Sequence, residues 1–97
     1  MCIRDRLAEI VDAVGDKIDV ICEGGFQRGT HMLKALSIGA KACAGGRLYL
    51  YALAAAGQAG VERALGQYKT ELERDMKLMG CTKISELNRN NLRFRNL

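Results

Sequence analysis

The sequence lacks the features that identify zinc-binding, disulfide-stabilised and membrane-spanning chains. Its 97 residues include four cysteines, but these form no Cys-x-x-Cys pair, so neither a zinc ribbon nor a secreted disulfide framework is indicated. The longest apolar run, Leu48 to Ala56, has nine residues and is too short to cross a bilayer. The first six residues carry charges and no apolar core follows them, so we expect no secretory signal. These absences predict a soluble, cytoplasmic chain with reduced thiols.

The net charge of +4 is small and lies mostly at one end of the chain. Residues 82–97 hold four Lys or Arg against one Glu, which accounts for three of the four net positive charges. A short basic tail with one phenylalanine is weak evidence for nucleic-acid binding, and we predict no nucleic-acid partner. The alternative from another class is a non-catalytic, small basic binding module, whose binding would weaken steeply with salt.

The spacing of apolar residues predicts an alternation of helices and strands. Thr30 is a natural N-cap for one of the helices, and Gly57 is expected to break the chain between two others. This alternation indicates an α/β fold with parallel strands and right-handed crossovers. Two parallel strands cannot form a sheet with both faces buried, so the pattern is typical of part of a larger fold. The predicted elements are helices at 7–14, 30–39, 48–56 and 59–80 and strands at 18–22 and 42–44.

Three parts of the chain differ in their predicted role. Residues 1–6 fit nothing that follows, so we interpret them as non-native and exclude them from the fold. Residues 7–87 contain the regular pattern of helices and strands and are predicted to form part of a folded domain. Residues 88–97 are predicted to form a basic C-terminal tail.

A glycine-rich turn follows each predicted strand and precedes a helix. The first turn begins at Glu23-Gly24-Gly25, and the second is Gly45-Gly46-Arg47. At such a position, backbone N–H groups and the positive end of the helix dipole favour a phosphate, and an arginine adds charge-assisted hydrogen bonds. In (β/α)8 barrels, the loops after strands seven and eight and a short extra helix often form a phosphate site. The two turns together predict such a site, although isolated glycines would more simply serve tight turns.

Several other residues are interpreted structurally. His31 is predicted to be a surface residue in the first helical turn rather than a metal ligand, and no metal site is expected. Cys22 and Cys43 are predicted to be small core residues that adjacent strands could bring together. Tyr49 and Tyr51 are interpreted as packing residues.

Four segments carry a resemblance to a known family: EIVDAVGDKIDV, EGGFQRGTHMLKALSIGAKA, GGRLYLYALAAAGQAGVERAL and ELERDMKLMGC. From about residue 7 to residue 87, the chain resembles the C-terminal part of the FMN-dependent 2-hydroxy-acid dehydrogenases and oxidases, and most closely their L-lactate dehydrogenase branch. The resemblance implies strands seven and eight, with their helices, of a (β/α)8 TIM barrel. An alternative is another FMN-binding barrel, such as the isopentenyl-diphosphate isomerase type, which shares the glycine turns.

The resemblance also implies which residues bind the cofactor FMN. The family's Asp-Gly-Gly-x-Arg turn, which binds the ribityl chain and the phosphate, corresponds to Glu23, Gly24, Gly25, Phe26 and Gln27, and its Gly-Arg pair corresponds to Gly46 and Arg47. There are three departures from the family pattern. Glu23 replaces the usual aspartate, Gln27 replaces an arginine that contacts the phosphate, and Leu48 stands where many members have proline.

The catalytic residues of the family have no counterpart in this sequence. The catalytic histidine, the substrate-binding arginine and an FMN-contacting lysine lie upstream of the matching segment, and His31 occupies the position of a family aspartate. The resemblance therefore implies an enzyme that oxidises a lactate-like L-2-hydroxy acid to the 2-oxo acid, with no catalytic residue in this part and no activity for this part alone. It also implies a homo-oligomer and leaves a peripheral link to the inner membrane or to a quinone open.

Overall fold

The computed structural model describes residues 6–94, in which helices and short strands alternate. Residues 1–5 of the predicted non-native segment and residues 95–97 of the predicted tail lie outside the described residues. The elements are α1 (Leu7–Val14), β1 (Ile21–Glu23), α2 (Gly29–Ile38), β2 (Ala42–Ala44) and α3 (Arg47–Leu78), followed by 3-10 turns at Ile84–Glu86 and Arg89–Asn91.

The two strands lie side by side and run parallel, which confirms the orientation predicted from the alternation. Cys22 is opposite Cys43 in the register, and the N–H of Lys41 donates to the carbonyl of Val20 at 2.8 Å, just before the paired residues. Cys22 is buried against the helices, whereas Ile21 is 64% exposed on the other face of the sheet. The described part is thus a two-stranded α/β unit with one covered face and one open face.

The first strand begins three residues later than predicted. The predicted strand at 18–22 included Ile18, but the N–H of Ile18 donates to the carbonyl of Val14 in the turn that ends α1. That bond keeps Ile18 close to the end of the helix, and its side chain is 60% exposed. The β-branched residues correctly indicated a strand, but the first of them, Ile18, belongs to the turn after α1.

The second helix begins at Gly29, so the prediction that Thr30 caps it is wrong. Its N-cap residue is Arg28, whose side chain makes no capping bond. The N–H of Gly29 is satisfied by the carboxylate of Glu71 on α3 instead, and the Thr30 hydroxyl donates to Asp75. Because the cap comes from a distant helix, the local sequence does not reveal it.

The third helix contains the break that was predicted near Gly57. Ala56 and Gly57 leave helical geometry, with φ of −151° and +60° respectively, so α3 consists of two helical parts joined at a kink. Positive φ is favourable for glycine, which makes Gly57 the residue that permits the bend. The first part of α3 therefore follows a different direction from the second, and both parts contact the same groove, as described below.

In the part of the chain that the structure describes, two small clusters of buried residues form the core. The first joins α1, α2 and the sheet, and the second joins α2 and α3 to the segment after α3. Ala35 belongs to the first cluster and Leu33 to the second, so α2 packs on both sides. The buried residues are Leu7, Val20, Cys22, Phe26, Ala35 and Ala40 in the first cluster and Leu33, Met76, Cys81 and Leu87 in the second.

The start of the predicted basic tail packs against the helices. The guanidinium of Arg89 donates to the carbonyl of Ile38 at 3.1 Å and to the carbonyl of Ala8 at 3.4 Å. It also pairs with the carboxylate of Asp12 at 2.8 Å. Arg89 thereby connects the end of the chain to α1 and α2.

Within residues 6–94, no helix is both long and apolar enough to cross a membrane.

Candidate functional site

A groove of about 670 Å³ opens where the two strands end and the helices begin. This position follows from parallel pairing, because the carboxyl ends of both strands meet at one edge and each continues into a glycine turn. The groove volume lies in the range of small-molecule sites. All seven residues predicted to bind the cofactor line it. The lining residues are Glu23, Gly24, Gly25, Phe26, Gln27, Gly45, Gly46, Arg47, Leu48, Leu50, Tyr51 and Tyr68.

The first glycine turn has a backbone conformation that favours glycine. Gly24 has φ of +115° and Gly25 has φ of +71°, both in the region that side chains with a Cβ rarely adopt. A Cβ on Gly24 would have nothing within 4 Å, so the space beside this residue is open. The turn therefore presents bare backbone to the groove. Phe26 also lines the groove but is only 4% exposed, because its side chain belongs to the first core cluster.

The second glycine turn places the start of α3 at the groove. Gly46 is the N-cap residue and Arg47 is the first residue of the helix, with an exposed side chain. A Cβ on Gly46 would lie 3.8 Å from Oε1 of Glu23, so the carboxylate of the first turn lies beside the backbone of the second. The free N–H groups at a helix N-terminus and a guanidinium both attract anions. This end of the groove can therefore hold a phosphate.

Arg28 lies next to the groove but is directed away from it. Its Nε donates to both carboxylate oxygens of Glu71, at 2.9 Å and 3.1 Å, and the N–H of Gly29 donates to the same carboxylate at 2.8 Å. The hydrogen bonds from Arg28 and Gly29 hold the pKa of the Glu71 carboxyl below its usual value. The bond to Glu71 also raises the pKa of Arg28. We call Arg28, Gly29 and Glu71 the Glu71 cluster. Its hydrogen bonds join the first glycine turn and α2 to α3.

At the Glu71 cluster, the N-terminus of α2 packs closely against α3. A Cβ on Gly29 would lie 2.6 Å from Cβ of Glu71 and 2.7 Å from the backbone nitrogen of Leu72. Only a residue without a side chain allows α2 to approach α3 this closely. The N-terminus of α2, which follows the first glycine turn, is therefore positioned by the second half of α3.

His31 supports the first turn and does not line the groove. The N–H of Gln27 donates to Nδ1 of His31 at 3.2 Å, so that nitrogen acts as an acceptor. Among the described residues, no group of three or more His, Cys, Asp or Glu side chains could hold a metal ion. The hydrogen bond from Gln27 thus links the imidazole to the backbone of the first glycine turn.

Tyrosines and leucines of α3 form one wall of the groove, a role that was not predicted for them from the sequence. Leu48, Leu50 and Tyr51 come from the first part of the helix, and Tyr68 comes from the second part, beyond the kink. Tyr51 was interpreted as a packing residue, but it is 69% exposed and lines the groove. The sequence does contain a signal for the position of Tyr51. It follows Arg47 by four residues, and residues i and i+4 lie on the same face of a helix. Nothing local to Tyr68 indicates its place, because that depends on how α3 bends.

Cys22 and Cys43, which lie opposite each other in the sheet, are not a nucleophilic site. Cys22 is buried and Cys43 is half-buried. Burial raises the pKa of Cys43 to about 11, with a further contribution from Cys22. The neutral thiol therefore predominates near neutral pH, and these side chains act as small core residues.

A family model described as FMN-dependent dehydrogenase matches residues 4–94. The peroxisomal (S)-2-hydroxyacid oxidase GLO4 of Arabidopsis thaliana is 43% identical over 90 residues, which cover 93% of this chain and 25% of the relative. The L-lactate oxidase of a Nostoc species is 45% identical over 83 residues, covering 86% of this chain and 23% of the relative.

Solved structures give the same result. A soluble mutant of the membrane-associated (S)-mandelate dehydrogenase from Pseudomonas putida matches with a TM-score of 0.86 and 37% identity, covering 92% of this chain and 25% of that protein. The chain thus spans about a quarter of the length of each of these three relatives. Since the family model covers nearly the whole sequence, the chain belongs to the FMN-dependent dehydrogenase family.

Proposed function

We propose that the complete protein oxidises a 2-hydroxy acid to the corresponding 2-oxo acid, and that this chain provides the part that binds the phosphate and ribityl chain of FMN. The observation that carries the proposal is the convergence of both glycine turns and Arg47 on one groove. Relatives named as 2-hydroxyacid oxidase and L-lactate oxidase support the reaction class. A lactate-like L-substrate is the specific form of the proposal.

The residues present fit a phosphate-bearing flavin. Gly24 and Gly25 expose backbone in positive-φ conformations, and a Cβ on Gly46 would fill space next to the Glu23 carboxylate. Arg47 would bind the phosphate together with the N–H groups at the start of α3, and the Glu23 carboxylate would accept hydrogen bonds from ribityl hydroxyls. When bound, FMN supplies the redox chemistry of the reaction. The remaining contribution of this chain is to orient the cofactor and to exclude water with the wall of Leu48, Leu50 and Tyr51.

No residue of the groove is proposed as the catalytic base. Within residues 6–94, the charged side chains that line it are those of Glu23 and Arg47, and both lie at the end proposed to hold the phosphate and the ribityl chain. The general base is therefore proposed to lie in the part of the complete protein that this chain does not span. The same applies to the closed (β/α)8 barrel, of which this chain would contribute strands seven and eight.

The enzyme proposal is favoured over a small basic binding module. Arg89, one of the four cations in residues 82–97, is bound to Asp12 and to two backbone carbonyls. Its charge thus contributes to tertiary structure, and the tail is not a free cationic arm in this region. A cytoplasmic location and a homo-oligomer remain part of the proposal, while relatives include peroxisomal and membrane-associated proteins.

The test is to purify the complete protein and identify its bound flavin after denaturation. We expect FMN, and we expect anaerobic addition of L-lactate to bleach the visible flavin absorbance while D-lactate does not. Glycolate and L-mandelate serve as comparison substrates that separate the general reaction from the lactate preference. Retention of FMN without bleaching by any 2-hydroxy acid would contradict the proposed reaction, and absence of any bound flavin would contradict the cofactor role.

A further inference from the structure

The charges that face the groove balance each other. Among its lining residues, Glu23 carries a negative charge and Arg47 a positive one, while Gln27 and Tyr68 are neutral. Since the Glu23 carboxylate lies beside Gly46, it adds negative potential where an anion would bind. Among the described residues that line this groove, Arg47 therefore carries the only positively charged side chain.

A second guanidinium is close but held elsewhere. Arg28 follows Gln27 directly and lines a smaller pocket of about 140 Å³ that shares Gln27 and Tyr68 with the groove. Its Nε is bound to both oxygens of Glu71, which is 5% exposed and also accepts from Gly29. A buried carboxylate with a guanidinium partner is costly to leave unpaired, so this bond opposes any movement of Arg28 toward the groove.

We propose that this chain recognises the phosphate of its flavin through a single guanidinium, that of Arg47, and that Glu71 is a positioning residue that keeps Arg28 from the phosphate. The inference rests on the proposed FMN-binding function and deepens it. It assigns opposite roles to two arginines that each accompany a glycine turn. Arg47 discriminates between flavins with and without a phosphate, whereas Arg28 maintains the junction of α2 and α3.

The test compares FMN with riboflavin, which has the same ring and ribityl chain but no phosphate. The flavin-free form of the complete protein is titrated with each, and the ratio of the two dissociation constants is followed by quenching of flavin fluorescence. A charge-assisted hydrogen bond changes binding by about 10- to 100-fold. We expect Arg47→Gln to reduce the preference for FMN by about this factor. We expect Arg28→Gln to lower the thermal midpoint but to change the ratio by less than about twofold.

Glu71→Gln provides a gain-of-function measurement. The amide can still accept from Gly29 but no longer holds Arg28 by charge, so Arg28 becomes available to the phosphate. We expect a higher preference for FMN in Glu71→Gln, and loss of this rise when Arg28→Gln is added. An effect of Arg28→Gln equal to that of Arg47→Gln would overturn the single-guanidinium inference. An unchanged ratio in Glu71→Gln would overturn the positioning role.

The same titration separates this inference from the proposed function. If the unmodified protein binds neither flavin, the cofactor role itself is wrong. If it binds both flavins with equal affinity, flavin binding stands but recognition of the phosphate by Arg47 is wrong.

Gln27→Arg, which adds a second guanidinium to the groove, is expected to raise the preference for FMN by about 10-fold or more.

Discussion

The N–H of Gly29 donates to Oε2 of Glu71 at 2.8 Å, although 42 positions separate the two residues in the chain. This bond caps one helix with a side chain of another, at the point where the first glycine turn ends. It couples the geometry of the groove to the packing of α2 on α3. The stability of that contact should therefore affect both folding and flavin binding.

Gly29→Ala should weaken both properties. The added Cβ would meet Cβ of Glu71 at 2.6 Å, the nitrogen of Leu72 at 2.7 Å and the carbonyl oxygen of Tyr68 at 2.9 Å. Because two of these atoms belong to the backbone, the helices must separate, at a cost of about 1–3 kcal/mol. We expect a lower unfolding midpoint and weaker binding of both FMN and riboflavin in the complete protein.

Gly66→Ala is the matched control for this substitution. Gly66 lies within α3, and a Cβ there would have nothing within 4 Å. Alanine in an open helical position should stabilise the protein by roughly 0.5–1 kcal/mol. Equal effects of the two substitutions would show that close packing at Gly29 is not what the fold requires.

The carboxylate of Glu71 should make the stability of the protein depend on acid pH. Its hydrogen bonds from Arg28 and Gly29 lower its pKa in the folded state from the ordinary value of 4.5. A lowered folded-state pKa stabilises the fold above the unfolded-state value, and this contribution is lost as the pH falls through the lower folded-state pKa. Glu71→Gln should therefore flatten the acid limb of the stability curve.

Urea midpoints measured from about pH 6 down to about pH 3 would test this dependence around the carboxyl range. Glu73→Gln is the control, because Glu73 is exposed on the same helix. We expect its acid limb to follow that of the unmodified protein. An acid limb in Glu71→Gln as steep as in the unmodified protein would exclude Glu71 as the titrating group.

Local signals in the sequence predicted the elements and the groove-forming turns but not the contacts that join them. The glycines at 24 and 25 and the break at Gly57 were predictable, because positive φ is a property of the residue and its immediate neighbours. The capping of Gly29 by Glu71 was not predictable, since it depends on how two helices meet. Tyr68 reaches the groove for the same reason.

The beginning of β1 shows how a local rule fails. Ile18 has the side chain of a strand residue, but its N–H completes the turn after α1. β-Propensity reflects the β-branched side chain of Ile18 and does not include the hydrogen bond that its N–H donates to Val14 at the end of α1. The role of Arg28 is a similar case, because its position next to Gln27 suggests a phosphate contact until its bond to Glu71 is known.

Arg89 should stabilise the fold mainly through the backbone carbonyls that it contacts. Its pair with Asp12 is partly exposed, with 37% and 64% of the two side chains accessible, so that ion pair should contribute only about 0.2–1 kcal/mol. Its bonds to Ile38 and Ala8 add roughly 1 kcal/mol each. Arg89→Ala should therefore lower the free energy of unfolding more than Asp12→Ala does.

A double-mutant cycle on Arg89 and Asp12 separates the two contributions. We expect a small coupling energy and a larger residual effect of Arg89→Ala in the Asp12→Ala background. Arg93→Ala, at an exposed position four residues further on, is the control for loss of one positive charge. A residual effect no larger than that of Arg93→Ala would contradict the role of the carbonyl bonds.

The thiol of Cys43 should resist alkylation near neutral pH. Burial raises its pKa to about 11 from the ordinary value of 9.0, and Cys22, its partner in the strand register, adds to the shift. Because the thiolate is the reactive form, a shift of this size reduces the reactive fraction by about 100-fold. Restricted access slows the reaction further. We expect mass spectrometry of the folded protein after iodoacetamide treatment to show Cys43 unmodified, and labelling to follow only in denaturant. Rapid labelling of the folded protein would show that β2 opens and would contradict the protection of Cys43 by burial.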